Sequence, residues 1–149
     1  MVSPNWDAWR FLLGEWVGAG GGEPGQGSGD LSFQFDLQEQ VLVRRNRVGF
    51  PATPERPAFT HDDLTIIYPD TTGSMRAVYF DNEGHVIQYA VTINADAIMM
   101  ISDPDPSTPR FRTSYWKGEN ETVCTRFEIA LPGKPDDFSI YVEGIVKQK

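Results

Sequence analysis

Cysteine is almost missing from this chain. Cys124 stands alone, so neither an internal disulfide framework nor a cysteine-based zinc site can form. Positive charge is scarce as well: 13 Lys and Arg against 21 Asp and Glu leave a net charge of −8. That balance argues against non-specific binding to nucleic acid or to an anionic membrane, since both need a basic face. Histidine occurs only at His61 and His85. No apolar run approaches the roughly 20 residues of a membrane span. Residues 1–14 contain Pro4, Asp7 and Arg10 and lack both a basic start and a long apolar stretch. They are not expected to act as a secretory signal, and a cytoplasmic location is the default expectation. No G-x-S-x-G stretch and no Ser-His-Asp spacing stands out. The glycines between Gly18 and Gly29 do not follow the G-x-G-x-x-G spacing of a phosphate cradle; they suit a sharp bend of a first strand.

What is present is ordinary for a folded domain. The chain has 149 residues, 40% apolar and 23% charged, enough for one globular domain over residues 1–149 with a real core. One stretch reads as helix. Ser3 before Pro4 suits an N-cap and first helical position, and Trp6, Trp9, Leu12 and Leu13 recur at helical spacing until Gly14. Two or three turns over residues 4–13 are expected.

Beyond Gly14 the pattern becomes short strands separated by turn formers. They are Gly14–Gly22, Asp30–Leu37, Val41–Gly49, Asp62–Tyr68, Met75–Asp81, His85–Ile93, Ala97–Ser102, Arg110–Trp116, Thr122–Leu131 and Phe138–Val146. Mostly short links predict an antiparallel up-and-down meander, and a sheet of about ten strands escapes exposed edges by closing on itself. The expected fold is therefore an all-β, roughly ten-stranded antiparallel barrel with one short N-terminal helix over an end. Pairing Tyr68 near Met75 places Thr65, Ile67, Val78, Phe80, Ile87, Tyr89 and Val91 on one face. Both faces are then substantially apolar, which also allows two copies to pair as a homodimer. Phe111, Thr113 and Tyr115 align with Val123, Thr125, Phe127 and Ile129, and these with Ile140, Val142 and Gly144. The opposite face carries Arg110, Arg112, Ser114, Cys124, Arg126, Glu128, Tyr141 and Glu143. Those charges form cross-strand ion pairs in water, or else Arg112, Arg126 and Tyr141 turn inward to hold an anion.

Gly14-Glu15-Trp16, directly after a short aromatic helix, resembles the G-x-W opening of the calycins, the superfamily of lipocalins and fatty-acid-binding proteins. Gly18-Ala19-Gly20-Gly21-Gly22 is similar to the glycine-rich first strand of nitrobindin-type ten-stranded barrels. Leu42-Val43-Arg44-Arg45-Asn46, His61-Asp62-Asp63-Leu64 and Tyr79-Phe80-Asp81-Asn82-Glu83-Gly84-His85-Val86 resemble small bacterial proteins described as fatty-acid-binding-protein-like. The resemblance implies a calycin-like barrel whose cavity takes a small hydrophobic or amphipathic, fatty-acid-like ligand without catalysis. In that family the tryptophan packs across the closed end. The chain departs from its relatives in two places. Nitrobindin-type barrels hold haem through a late histidine, and none follows His85. Fatty-acid carriers use an Arg-x-Tyr pair on the last strand, and Phe138-Ser139-Ile140-Tyr141-Val142-Glu143 has no arginine.

Several residues could carry chemistry. Arg45 and Arg47 share one strand face and Arg44 takes the other, so a closed sheet turns at least one arginine inward. A buried arginine needs Asp62, Asp63, Glu39 or a ligand carboxylate. Arg44 and Arg126 are first choices to orient an acidic head group, with Tyr141, Trp16, Tyr79, His61 and His85 as further candidate contacts. The polar residues His61, Asp62, Asp63, Asp81, Asn82, Glu83 and His85 gather at one end of adjacent strands. They are either a rim of turn-capping groups or a site in which His61, Asp63 and His85 do acid–base or metal chemistry. Haem held by His61 or His85 is a third reading.

Overall fold

The computed structural model describes residues 4–18 and 28–149. The strands are β1 (Gly14–Gly18), β2 (Ser28–Asp36), β3 (Val41–Phe50), β4 (Phe59–Pro69), β5 (Met75–Asp81), β6 (Val86–Ile93), β7 (Ile98–Ser102), β8 (Arg110–Lys117), β9 (Val123–Ala130) and β10 (Phe138–Gln148). Each pairs antiparallel with its neighbour in sequence, and β1 pairs with β10, so the ten strands close into a barrel. The seam is short among the described residues: Trp16, Val17 and Gly18 pair with Gln148, Lys147 and Val146. The expected ten-stranded all-β barrel is therefore the observed fold. Most of the glycine run read as the bend of the first strand, and the Ser3 cap, lie outside the described residues.

The N-terminal helix is shorter and tighter than the spacing predicts. It is a 3-10 helix over Asp7–Leu12, with Trp6 as N-cap and no side-chain cap. The reason is in the spacing: Trp6, Trp9 and Leu12 are three apart, and a helix of three residues per turn puts them in one line. All three are buried. Leu13 is already extended, and Gly14 takes φ 122°, a value that favours glycine. The helix plugs one end of the barrel. Trp6 packs on Phe35 at 5.5 Å between ring centroids, and its Nε1–H donates to Glu39 O at 2.8 Å. That bond helps hold the β2–β3 turn, in which Leu37, Gln38 and Glu39 all adopt left-handed φ of 50°, 56° and 64°, a conformation side chains other than glycine adopt at a cost.

Inside the plugged end the side chains are close-packed. Phe33, Leu42, Ile67, Ala77, Ile98, Tyr115 and Val123 are buried in one cluster with the helix. Trp16 joins them, its Nε1–H donating to Leu12 O at 2.7 Å.

Two pairings differ from the expected register. β4 and β5 pair Pro69 with Met75 and Tyr68 with Arg76, one residue from the Tyr68–Met75 alignment. The Asp70 carboxylate accepts from the Thr72 amide at 2.8 Å, the Thr72 hydroxyl at 2.6 Å and the Ser74 amide at 3.1 Å, which tightens the loop. A one-residue slip exchanges the faces of a strand. Ala77, Tyr79 and Asp81 therefore point inward with Thr65 and Ile87, and Val78 and Phe80 point outward. Between Ile140 and Val142 a bulge at Tyr141 moves Ile140 opposite Glu128, so Ile140 leaves the inner face while Val142 and Gly144 keep it. The alignment of Phe111, Thr113 and Tyr115 with Ile129, Phe127 and Thr125 is as expected. The opposite face of these strands carries ion pairs: Arg112 with Glu128 in two bonds of 2.9 and 2.6 Å, and Arg126 with Glu143 at 3.1 Å.

Candidate functional site

Polarity grades along the inner face of three neighbouring strands. From the plugged end outward, β3 presents Leu42, Arg44 and Asn46, β4 presents Ile67, Thr65, Asp63 and His61, and β5 presents Ala77, Tyr79 and Asp81. The register sets Asn46, Asp63 and Asp81 on one rung and Arg44, Thr65 and Tyr79 on the next. Groups from five positions on these two rungs and His61 thus meet in one network.

Asp63 is its centre. Its side chain is 5% exposed and accepts from Arg44 Nη1, from Asn46 Nδ2 at 2.9 Å and from His61 Nε2 at 3.1 Å. A carboxylate only accepts, so His61 carries its proton on Nε2. The Tyr79 hydroxyl lies 3.3 Å from that nitrogen and donates to Asp81 Oδ2 at 2.9 Å. Asp81 also accepts from the Glu83 and His85 amides at 3.0 Å and from His85 Nδ1 at 2.9 Å. Burial pushes the Asp81 carboxyl up, but the His85 amide and ring, the Tyr79 hydroxyl and the Glu83 amide outweigh it and hold the group down at about 2. Burial, with the Asp63 charge beside it, pushes the Tyr79 hydroxyl far up, so it stays protonated and donates. Gly84, with φ 90°, makes the turn that brings His85 back to Asp81.

The chain of contacts runs from Arg44 through Asp63, His61, Tyr79 and Asp81 to His85 at the rim. The two histidines do not share a carboxylate: His61 meets Asp63, and His85 meets Asp81. The grouping of His61, Asp63 and His85 as one site is therefore replaced by two linked pairs. Among the described residues no three His, Cys, Asp or Glu side chains converge as metal ligands. The residues also do not fit a haem ligand. His61 has Nε2 on Asp63 and Nδ1 3.6 Å from Glu83, and the His85 side chain is 62% exposed at the rim.

The other expected contacts separate. Arg126 lies on the outer face, paired with Glu143 and 5.1 Å from the Trp116 ring. Tyr141 sits at the bulge, 69% exposed. Neither reaches Arg44, so the two arginines do not act on one head group. Trp16 is packed in the core near the plug. Arg45 and Arg47 point outward, and Arg47 Nε lies 3.7 Å from Asp62. Only Arg44, Tyr79, His61 and His85 of the expected set belong to one network.

Facing the polar wall, β8, β9 and β10 present Phe111, Thr113, Phe127, Ile129 and Val142. Phe111 and Phe127 stack at 5.7 Å. These inward side chains are only partly buried, and Val142 is 55% exposed. The Arg44 side chain is 16% exposed, and the outer positions beside it belong to Val43 and Arg45, so that surface looks into the barrel. In the half away from the plug the inner face is thus polar on β3–β5 and aromatic–aliphatic on β8–β10. Local pairing of β8 with β9 is enough to bring Phe111 and Phe127 together, but nothing local signals that Tyr115 of β8 lies beside Arg44 of β3 across the interior. A groove of about 520 Å³ runs along β1–β5, lined by Asn46, Asp63 and Asp81 of the network together with Arg45, Leu64 and Phe80. Lys149 lies 3.5 Å from Asp30 at its margin. Comparison of the chain with protein-family models and with curated proteins finds no match to either.

Proposed function

We propose that this protein binds a small amphipathic ligand, without catalysis, in the half of the barrel away from the plug. The observation that carries the reading is the split lining of that half. Phe111, Phe127, Ile129 and Val142 offer apolar surface, and Arg44, Asn46, His61, Asp63 and Tyr79 offer polar groups across from it. Ligand sites commonly combine an apolar lining with a few convergent polar groups. The resemblance of the first strand to calycins points the same way. The dense packing at the plugged end limits the ligand to the outer half of the interior.

Titration of the protein with dodecyl amphiphiles, followed by calorimetry, tests this. Saturable one-to-one binding is expected, and Thr113→Trp, which fills that half from β8, should abolish it while the barrel stays folded. Absence of saturable binding, or binding unchanged in Thr113→Trp, contradicts the proposal.

A further inference from the structure

Four large apolar side chains of β10 and the β9–β10 turn stand in solvent. Leu131 is 65% exposed, Ile140 56%, Tyr141 69% and Ile145 51%. Together they offer on the order of 500 Å² of surface, a size at which an exposed apolar patch marks a contact with another molecule. The bulge at Tyr141 is the local cause. It breaks the alternation of β10 and sets Ile140 opposite Glu128, away from the interior. The Phe127 ring meets Tyr141 edge-on at 6.0 Å and steadies it. Beside Tyr141 lies a groove of about 410 Å³, lined by Ile129, Leu131 and Ile140 and by the oppositely charged Lys134 and Asp137.

Charge and shape say what covers this patch. Residues 110–149, which form β8–β10, hold seven Lys and Arg against six Asp and Glu, while residues 1–109 hold six against fifteen. The excess of negative charge thus belongs to the other strands. Two copies meeting through β9–β10 keep that excess apart, whereas pairing through the apolar outer face of β4 and β5 would bring it together. A strongly basic or acidic partner finds no net charge at β8–β10 to hold it. An exposed ring, a groove, a cation and an anion lie side by side in the patch. A two-fold axis needs this, because one surface must complement itself. Two such patches bury on the order of 1,000 Å², the lower limit for a specific interface.

We infer that two copies of this chain pair about a two-fold axis through the β9–β10 hairpin. Tyr141 of each copy enters the groove of the other, and Lys134 of each faces the partner's Asp137. The contact is small and reversible, so it forms at micromolar concentration and above.

Sedimentation velocity of the intact protein, from micromolar to millimolar concentration, tests this. A dimer should grow in with concentration. Tyr141→Glu places a charge at an exposed position, so it should fold as the parent does and stay monomeric throughout. Lys134→Asp sets like charges opposite each other twice in the pair and should weaken the dimer at least tenfold. Adding Asp137→Lys to it swaps the charges and should restore the parent's affinity. A parent that is monomeric at millimolar concentration overturns the inference. A dimer that Tyr141→Glu leaves intact also overturns it, because the contact then lies elsewhere on the barrel. A charge swap that fails to restore pairing overturns the facing of Lys134 and Asp137.

Discussion

Arg44→Met is the perturbation that reads the interior network most sharply. The pair it breaks is deeply placed: the Arg44 side chain is 16% exposed and that of Asp63 5%. Removing one partner of a buried ion pair leaves the other charge uncompensated, at a cost of about 3–5 kcal/mol. In a domain of this size each kcal/mol moves Tm by roughly 2–4 °C, so the variant should melt about 6–20 °C below the parent. Replacing both partners, Arg44→Met with Asp63→Leu, removes both buried charges. Asn46 and His61 lose an acceptor, but both are partly exposed and can turn to water. The double variant should therefore lie within about 1 kcal/mol of the parent, far less than the sum of the two single variants. Urea unfolding followed by tryptophan fluorescence measures this, with the slope m checked for constancy. A single-variant cost under about 1 kcal/mol, or a double-variant cost equal to the sum of the singles, would refute the claim that Arg44 and Asp63 form one buried unit.

Other predictions rest on separate features. The depressed Asp81 carboxyl stabilises the folded state above the ordinary carboxylate range, and this contribution is lost as pH falls from about 4 toward 2. Asp81→Asn should flatten that part of a stability–pH profile; an unchanged slope would show that Asp81 does not carry it. Within a homologous series of alkyl ketones, each added methylene buried on the β8–β10 wall should tighten binding about fourfold, from roughly 0.8 kcal/mol per CH₂, until the chain outgrows the interior. Affinity independent of chain length would remove the apolar wall from the account. Gln38, at φ 56° in the middle of the β2–β3 turn, should accept glycine with a gain of about 0.5 kcal/mol, since relief of the left-handed strain exceeds the added backbone entropy. A lower Tm for Gln38→Gly would contradict that balance.

The barrel was legible in the sequence because each strand ends at a turn former and alternates over its length. Nearly every expected strand lies within a few residues of its observed bounds. The exceptions have local causes. Spacing of three in Trp6, Trp9 and Leu12 reads equally as an α-helix until packing selects the tighter turn. The β4–β5 register depends on how Asp70 gathers the Thr72 and Ser74 amides, and one residue in that loop decides whether Tyr79 or Phe80 faces the interior. The same residue decides whether Asp81 joins Asp63. Alternation along β3 makes an inward arginine with an acidic partner legible, and Arg44 with Asp63 is that pair. Its second neighbour, Tyr115, comes from the far side of the barrel, and only closure brings them together.

Carbon-detected methyl spectra of the protein during titration with 2-decanone test the central claim most directly. The account predicts saturable shifts at the inward Ile87, Ile129 and Val142, with the outward Val43, Ile66 and Val86 unmoved. Shifts confined to the outward set, or none at millimolar ketone, would contradict it.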